Sequence, residues 1–304
     1  MLETEIAPVI RMVSERLQAL DATILASFPP AAYIQELDGI PPYSRYGQTT
    51  PIVDSTCREI ARRAGQPALE DYHRLILLTL IREFDARIRK KKYPEHVVEL
   101  FANEFQRMTS EIAAGVHGSY LYSSDFFCKD LAMCRQRLIP CGGPLIDPVA
   151  GIPRSWLLKG PLPQKLRMAR MIRRLGSFRT VYQLHNDRRQ VGAFNPAGWD
   201  AAYGIAAALM ELNPEVRGLV GGTWWYDPEV SRMSPNLGYL RDVPERCGAE
   251  FFCLGEHEDT TRDALTNSLE RWRCYAQGTY QPMTFAMIWD REGLLRAASV
   301  HHWT

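Results

Sequence analysis

The sequence predicts an α+β protein, a helical N-terminal region followed by a mixed sheet flanked by helices. Three observations carry that expectation. Apolar residues recur at helical spacing through residues 1–140. A Pro- and Gly-rich stretch from Leu138 to Pro163 has no clear period and marks a boundary. Beyond it, short apolar runs alternate with capped helices, the pattern of a layered sheet protein. Of the 304 residues, 46% are hydrophobic and 23% charged, enough for a packed core.

The first helix is drawn by Val9, Val13, Leu17, Leu20, Ile24 and Leu25, and Phe28-Pro29-Pro30 stops it. Residues Phe28 to Pro51 hold five prolines and three tyrosines and read as a loop. A second helix fits Asp54 to Ala64, with Gly65 as its stop. A third fits Pro67 to Lys91, its apolar face formed by Leu69, Tyr72, Leu75, Ile76, Leu80 and Phe84. Pro94 opens a fourth, which is expected to turn Val97, Val98, Leu100, Phe101, Phe105, Met108 and Ile112 inward. The cations Arg87 to Lys92 suit a helix end, where they oppose the dipole.

Domain boundaries follow: a helical region over 1–140, a linker with a basic helix over 141–176, and an α/β domain over 177–304. In the last, Thr180–His185 alternates like a strand. Asn195-Pro196 caps a helix that runs to Met210. Arg217–Tyr226 reads as a buried strand. Ser234-Pro235 caps a short helix ended by Pro244 and Gly248. Strand Phe251–Gly255, helix Thr260–Gln277 and strand Thr284–Trp289 complete the order.

Lys+Arg 36 against Asp+Glu 35 leave almost no net charge, so nucleic acid is not an expected partner. No apolar run reaches about 18 residues, so no transmembrane span is expected. The acidic start Met1–Glu5 is unlike a secretory signal. Seven cysteines, an odd number, fit free thiols in a reducing compartment, and the cytoplasm is the expected location. Cys128, Cys134 and Cys141 are spaced too widely for zinc pairs, and His117 does not mend the pattern. No metal is expected.

Several positions suggest chemistry. Tyr275 sits near the end of the last predicted helix, where a phenol can protonate a leaving group. His185 closes a strand beside Asp187 and can act as a base. Glu256-His257-Glu258-Asp259 follows a strand end, where ligands collect in α/β sheets, although Asp259 and Thr260 also make a sound cap. Trp224-Trp225-Tyr226 places three aromatics on one strand, so at least one can line a substrate pocket. Between Asp147 and Asp187 there is no acidic residue, while Arg154, Lys159, Lys165, Arg167, Arg170, Arg173, Arg174 and Arg179 form a basic strip. Most of it lies on a helix, Gln164–Leu175, whose other side carries Leu166, Met168, Ile172 and Leu175. Such a strip attracts a polyanion, or is balanced by acidic neighbours in the fold.

The segment from Thr180 to Ala298 resembles the GNAT-type N-acyltransferases. The likeness rests on a helix ending in Tyr275, then Gly278 and Tyr280, then return to the sheet at Thr284. It implies a three-layer α/β/α domain with a mixed sheet. It also implies transfer of an acyl group from acyl-CoA or acyl-phosphopantetheine, the latter on an acyl carrier protein, to a small-molecule amine. By this resemblance Tyr275 is the general acid, and His185 or Glu256 takes the amine proton. The central strand would hold the pantetheine arm, and a following helix N-terminus the pyrophosphate. The matching turn here is Arg232, Ser234, Asn236 and Gly238, in place of the usual Arg or Gln, two residues, then Gly-x-Gly or Gly-x-Ala. Arg170, Arg173 and Arg174 would dock the carrier. Two rival classes are a metal-dependent oxygenase, with ligands from the histidines, Glu256, Glu258 and Asp187, and a ligand-binding protein that keeps the fold without the chemistry.

Overall fold

The computed structural model describes residues 2–89, 91–115, 118–266 and 268–303, with backbone alone for residues 2–5. Lys90 and His117 lie outside the described residues. The protein is mixed α+β with its helical part first. The chain divides into two compact units, Met1–Pro140 and Cys141–Thr304. No helix among the described residues is long and apolar enough to cross a membrane.

In the first unit, α1 (Leu2–Leu20) buries Ile6, Val9, Val13 and Leu17, one face at helical period. Asp21 turns the chain by accepting from the Thr23 N–H (2.9 Å), and α2 (Ile24–Ser27) follows. The stretch expected as a loop contains a helix, α3 (Pro30–Asp38). Pro30 stands in its first turn, where a fixed φ and a missing N–H cost little, so the prolines open a helix as well as end one. Helix α4 (Pro51–Arg82) begins earlier than expected, capped by Thr50, which accepts from the Val53 N–H (3.2 Å). Gly65 kinks it at φ 85°, a conformation that favours glycine, so the expected stop is a bend between two helical segments.

After α5 (Phe84–Ile88) comes α6 (Glu95–Ala113), opened by Pro94 as the sequence suggests. Helix α7 (Asp125–Cys134), capped by Ser124, was not expected. Arg107 ties α6 to α7: it reaches Glu104 (2.8 Å), Glu111 (2.9 Å) and the buried Asp130 (2.7 Å). The short strand β1 (Ile139–Pro140) ends the unit.

The second unit opens with β2 (Pro144–Gly151), inside the stretch expected as a linker. Its ladder to the next strand shifts register between Asp147 and Ala150, where the Asp147 carboxylate accepts from the Val149 N–H (2.9 Å). That bulge, with Pro148 in it, is why no period of two appears. Helix α8 (Leu162–Leu175) ends at Gly176, in the left-handed region. Then come β3 (Arg179–Asn186), α9 (Pro196–Leu212) capped by Asn195, and β4 (Gly218–Thr223). Two short helices, α10 (Pro228–Met233) and α11 (Tyr239–Arg246), lead to β5 (Glu250–Gly255). The single helix expected over Thr260–Gln277 is two, α12 (Glu258–Thr266) and α13 (Leu269–Ala276), the second capped by Ser268. Strand β6 (Thr284–Asp290) and an unexpected α14 (Arg291–His301), capped by Asp290, close the chain.

These five strands bond in the order β2-β3-β4-β6-β5. Strands β3 and β4 run parallel, while β2 is antiparallel to β3 and β6 is antiparallel to both β4 and β5. Helices cover both faces. On one, Met168, Met171, Ile172 and Leu175 of α8 pack with Val181, Val220, Phe252 and Ile288. On the other, Tyr203 of α9 meets Trp289 (5.4 Å) and Trp303 (5.5 Å).

Candidate functional site

The topology gathers the sequence-derived candidates at one edge of the second unit's sheet. Because β3, β4 and β5 share a direction, their carboxyl ends lie together, beside the start of β6. Thr223 pairs with Phe285, and Gly255 with Thr284. His185 is the penultimate residue of β3, Trp224 follows β4, and Glu256 follows β5. Tyr275 and Tyr280 lie on the segment that leads into β6. The carboxyl edge of parallel strands is where α/β sheets bind ligands.

One detail of the ladder matters here. The β3–β4 pairing runs from Val181–Gly218 to Gln183–Val220 and stops. Both strands continue past it, to Asn186 and to Thr223. Among the described residues, β4 beyond Val220 is paired in register with β6 and not with β3.

The aromatics after β4 depart from the expected strand. Trp224, Trp225 and Tyr226 form a 3₁₀ turn. Tyr226 folds back over the strand, and a side chain at Gly221 would come within 2.8 Å of its hydroxyl oxygen. Glycine at 221 thus permits the turn, and Tyr226 packs in the core against Phe251 (5.3 Å). Trp225 stacks edge-on to Phe194 (5.4 Å). Trp224 lies under the guanidinium of Arg271, 4.5 Å from its ring centre.

Arg271, only 5% exposed, is the residue here that sequence reasoning missed. It donates to the Ala264 carbonyl (2.7 Å) and to the Ser234 hydroxyl (2.7 Å), and no ion pair of it is found among the described residues. Burial lowers its affinity for a proton, the largest influence on it. A cation inside a predicted amphipathic helix reads as a solvated one, so the sequence carried no signal for it.

Ser234 is consequently turned inward and caps nothing. The expected phosphate turn is a single 3₁₀ turn, Pro235–Leu237, with Asn236 exposed, Gly238 buried and Arg232 bonded to Glu229 (2.8 Å). The basic helix is also partly neutralised. Arg174 pairs with Glu250 (3.2 Å) and Asp290 (2.5 Å), and Arg167 with Glu250 (3.3 Å). Arg170 and Arg173 are exposed, with no ion pair found among the described residues. Leu166, expected on the apolar side, is exposed as well.

Tyr275 is 39% exposed on the last turn of α13, on a face that also shows Leu269 and Trp272 to solvent. Tyr280 is buried, and its hydroxyl finds no hydrogen-bond partner among the described residues. Burial raises the phenol above its ordinary value. Gly278 between them has φ 70°, which lets the chain reverse into β6. Glu256 is exposed, and Asp187 is bonded to Arg189 (2.6 Å). Among the described residues no three His, Cys, Asp or Glu side chains gather in a way that could hold a metal ion.

The first unit holds a second cluster, assembled from α3, α4 and the loop before α7. His73 Nδ1 bonds the Tyr120 carbonyl, so that nitrogen carries the proton and Nε2 is the acceptor. Nε2 faces the Tyr33 hydroxyl (3.1 Å) and the Cys57 thiol (3.4 Å), and Tyr33 donates to Tyr122 (3.0 Å). Burial pulls the imidazole down to about 4, partly opposed by the Tyr120 carbonyl. Burial likewise raises the Cys57 thiol. The pair is thus neutral, S–H toward N. Cys128, Cys134 and Cys141 are buried free thiols, as their spacing suggested. Compared with protein-family models, curated proteins and solved structures, the chain matches none.

Proposed function

We propose that the second unit is a GNAT-like acyltransferase, moving an acyl group from a thioester carrier to a small amine. The observation that carries this reading is the β3–β4 ladder that stops at Gln183–Val220 while both strands run on. An extended pantetheine arm needs backbone groups to pair with, and among the described residues β4 beyond Val220 is not paired in register with β3. Candidate acid and base residues stand at the same edge. The order helix, Tyr275, Gly278, Tyr280, strand agrees with the family's final motif.

In the reaction, the amine nitrogen attacks the thioester carbonyl. The C–N bond forms, the C–S bond breaks, and the thiolate takes a proton from Tyr275. The amine's proton passes to His185 or Glu256. Backbone N–H groups near the end of β4 polarise the carbonyl. Arg170 and Arg173, exposed and without an ion pair among the described residues, offer charge to an acidic acyl carrier protein or to coenzyme A phosphates.

The test is release of free thiol from acetyl-CoA, from a long-chain acyl-CoA and from an acyl carrier protein, each with and without a panel of primary amines. Amine-dependent release with at least one donor is expected. Absence of release from all three donors would remove the acyltransferase reading. It would leave a binding protein on this fold.

A further inference from the structure

A small pit in the first unit carries an independent inference. It has a cavity volume of about 180 Å³. Its rim, formed by Ser27, Pro29, Gln35 and Ile52, is exposed, so it opens to solvent. Its floor is formed by Tyr33, Tyr72 and Val53, all buried. The two tyrosine rings cross at 80°, with centres 5.4 Å apart, and Phe28 adds a third ring to the wall.

Two polar groups of residues that line the pit are little used among the described residues. Tyr72 is 0% exposed, and its hydroxyl finds no hydrogen-bond partner among the described residues. Buried hydroxyls are ordinarily paired, because an orphan loses its water without replacement. Tyr33 differs: its hydroxyl donates to Tyr122 (3.0 Å). Glu36 is the only charged side chain among the lining residues. It makes no ion pair among the described residues, and its nearest hydrogen bond, from the Thr50 hydroxyl, is long at 3.5 Å.

We propose that this pit binds a small organic cation, a primary ammonium on a compact aromatic or apolar body. A carboxylate without a cation attracts positive charge, and aromatic faces favour the same sign. An ammonium brings three donors, enough to serve both a carboxylate and a phenol oxygen. The size also fits. An apolar cavity of about 150 Å³ takes up benzene, so this one has room for a ring with a short arm. The pit lies wholly in the first unit and does not depend on the acyl-transfer reading.

The test is calorimetric titration of the full chain with benzylammonium chloride at neutral pH, beside benzyl alcohol and benzoate. One site per chain is expected, with Kd on the order of 1 mM or tighter for so small a ligand. The alcohol and the benzoate should bind at least about tenfold more weakly, as should benzylammonium with Glu36→Gln. Tyr72→Phe is a second variant that breaks no bond within the chain, and it too should weaken binding. The proposal is overturned if benzylammonium gives no binding heat up to about 20 mM, if the alcohol binds as tightly as the ammonium, or if both variants keep full affinity.

Discussion

The two units place their reactive groups in opposite settings. In the first, His73, Tyr33, Cys57 and Tyr122 bond to one another inside a helical core. In the second, Tyr275 and Glu256 face solvent at the rim of a sheet, and His185 is half-buried there. A closed buried network fixes side chains and resists ionisation, because low dielectric strengthens made bonds and penalises charge. A rim keeps its groups within reach of a substrate and of water. On this contrast the first cluster suits stability, and the second unit's edge is the one proposed for turnover.

The largest effect expected from the contrast concerns pH. His73 has a folded value of about 4, below the ordinary 6.5, so the unfolded chain takes up the proton first. Its contribution to stability is full above about pH 6.5 and is lost as pH falls toward 4, to the extent of about 3 kcal/mol. Urea unfolding between those limits should show the loss, and His73→Gln should remove most of that slope. An NMR titration in which the His73 ring protonates near pH 6.5 would break the contrast.

A smaller effect is expected at the basic helix. Reversing Arg170 and Arg173 to Glu should weaken binding of an anionic donor and lessen its salt dependence. Stability should move by under about 0.5 kcal/mol, since both are exposed. Arg174 is excluded because it already pairs with Glu250 and Asp290. Unchanged donor affinity at low salt would detach this face from function.

Much of the fold was legible where one local signal decided it. Asn195-Pro196 starts α9, Pro94 starts α6, and the apolar runs at Gly218–Thr223, Glu250–Gly255 and Thr284–Asp290 are strands. Failures came where local and long-range causes disagree. Pro148 and Gly151 hid β2, since a bulged strand shows no alternation. Phe28-Pro29-Pro30 does end α2, but Pro30 also starts α3, where a loop was expected. Trp224–Tyr226 looked like strand because the sequence does not reveal that Tyr226 folds back on Gly221. The His73 cluster joins residues up to 89 positions apart, and no spacing rule reaches that far. Arg271 was invisible for a related reason: its partners Ser234 and Trp224 come from another part of the chain.

The most direct measurement of the central claim is the turnover of Tyr275→Phe in amine-dependent thiol release. Loss of a general acid lowers turnover by about 10²–10⁴-fold. The ring remains and the hydroxyl is at an exposed position, so donor affinity and melting temperature should hold close to those of the parent. A variant that turns over as fast as the parent would contradict the assignment of Tyr275, and with it the claim that this sheet edge carries the chemistry in the manner described.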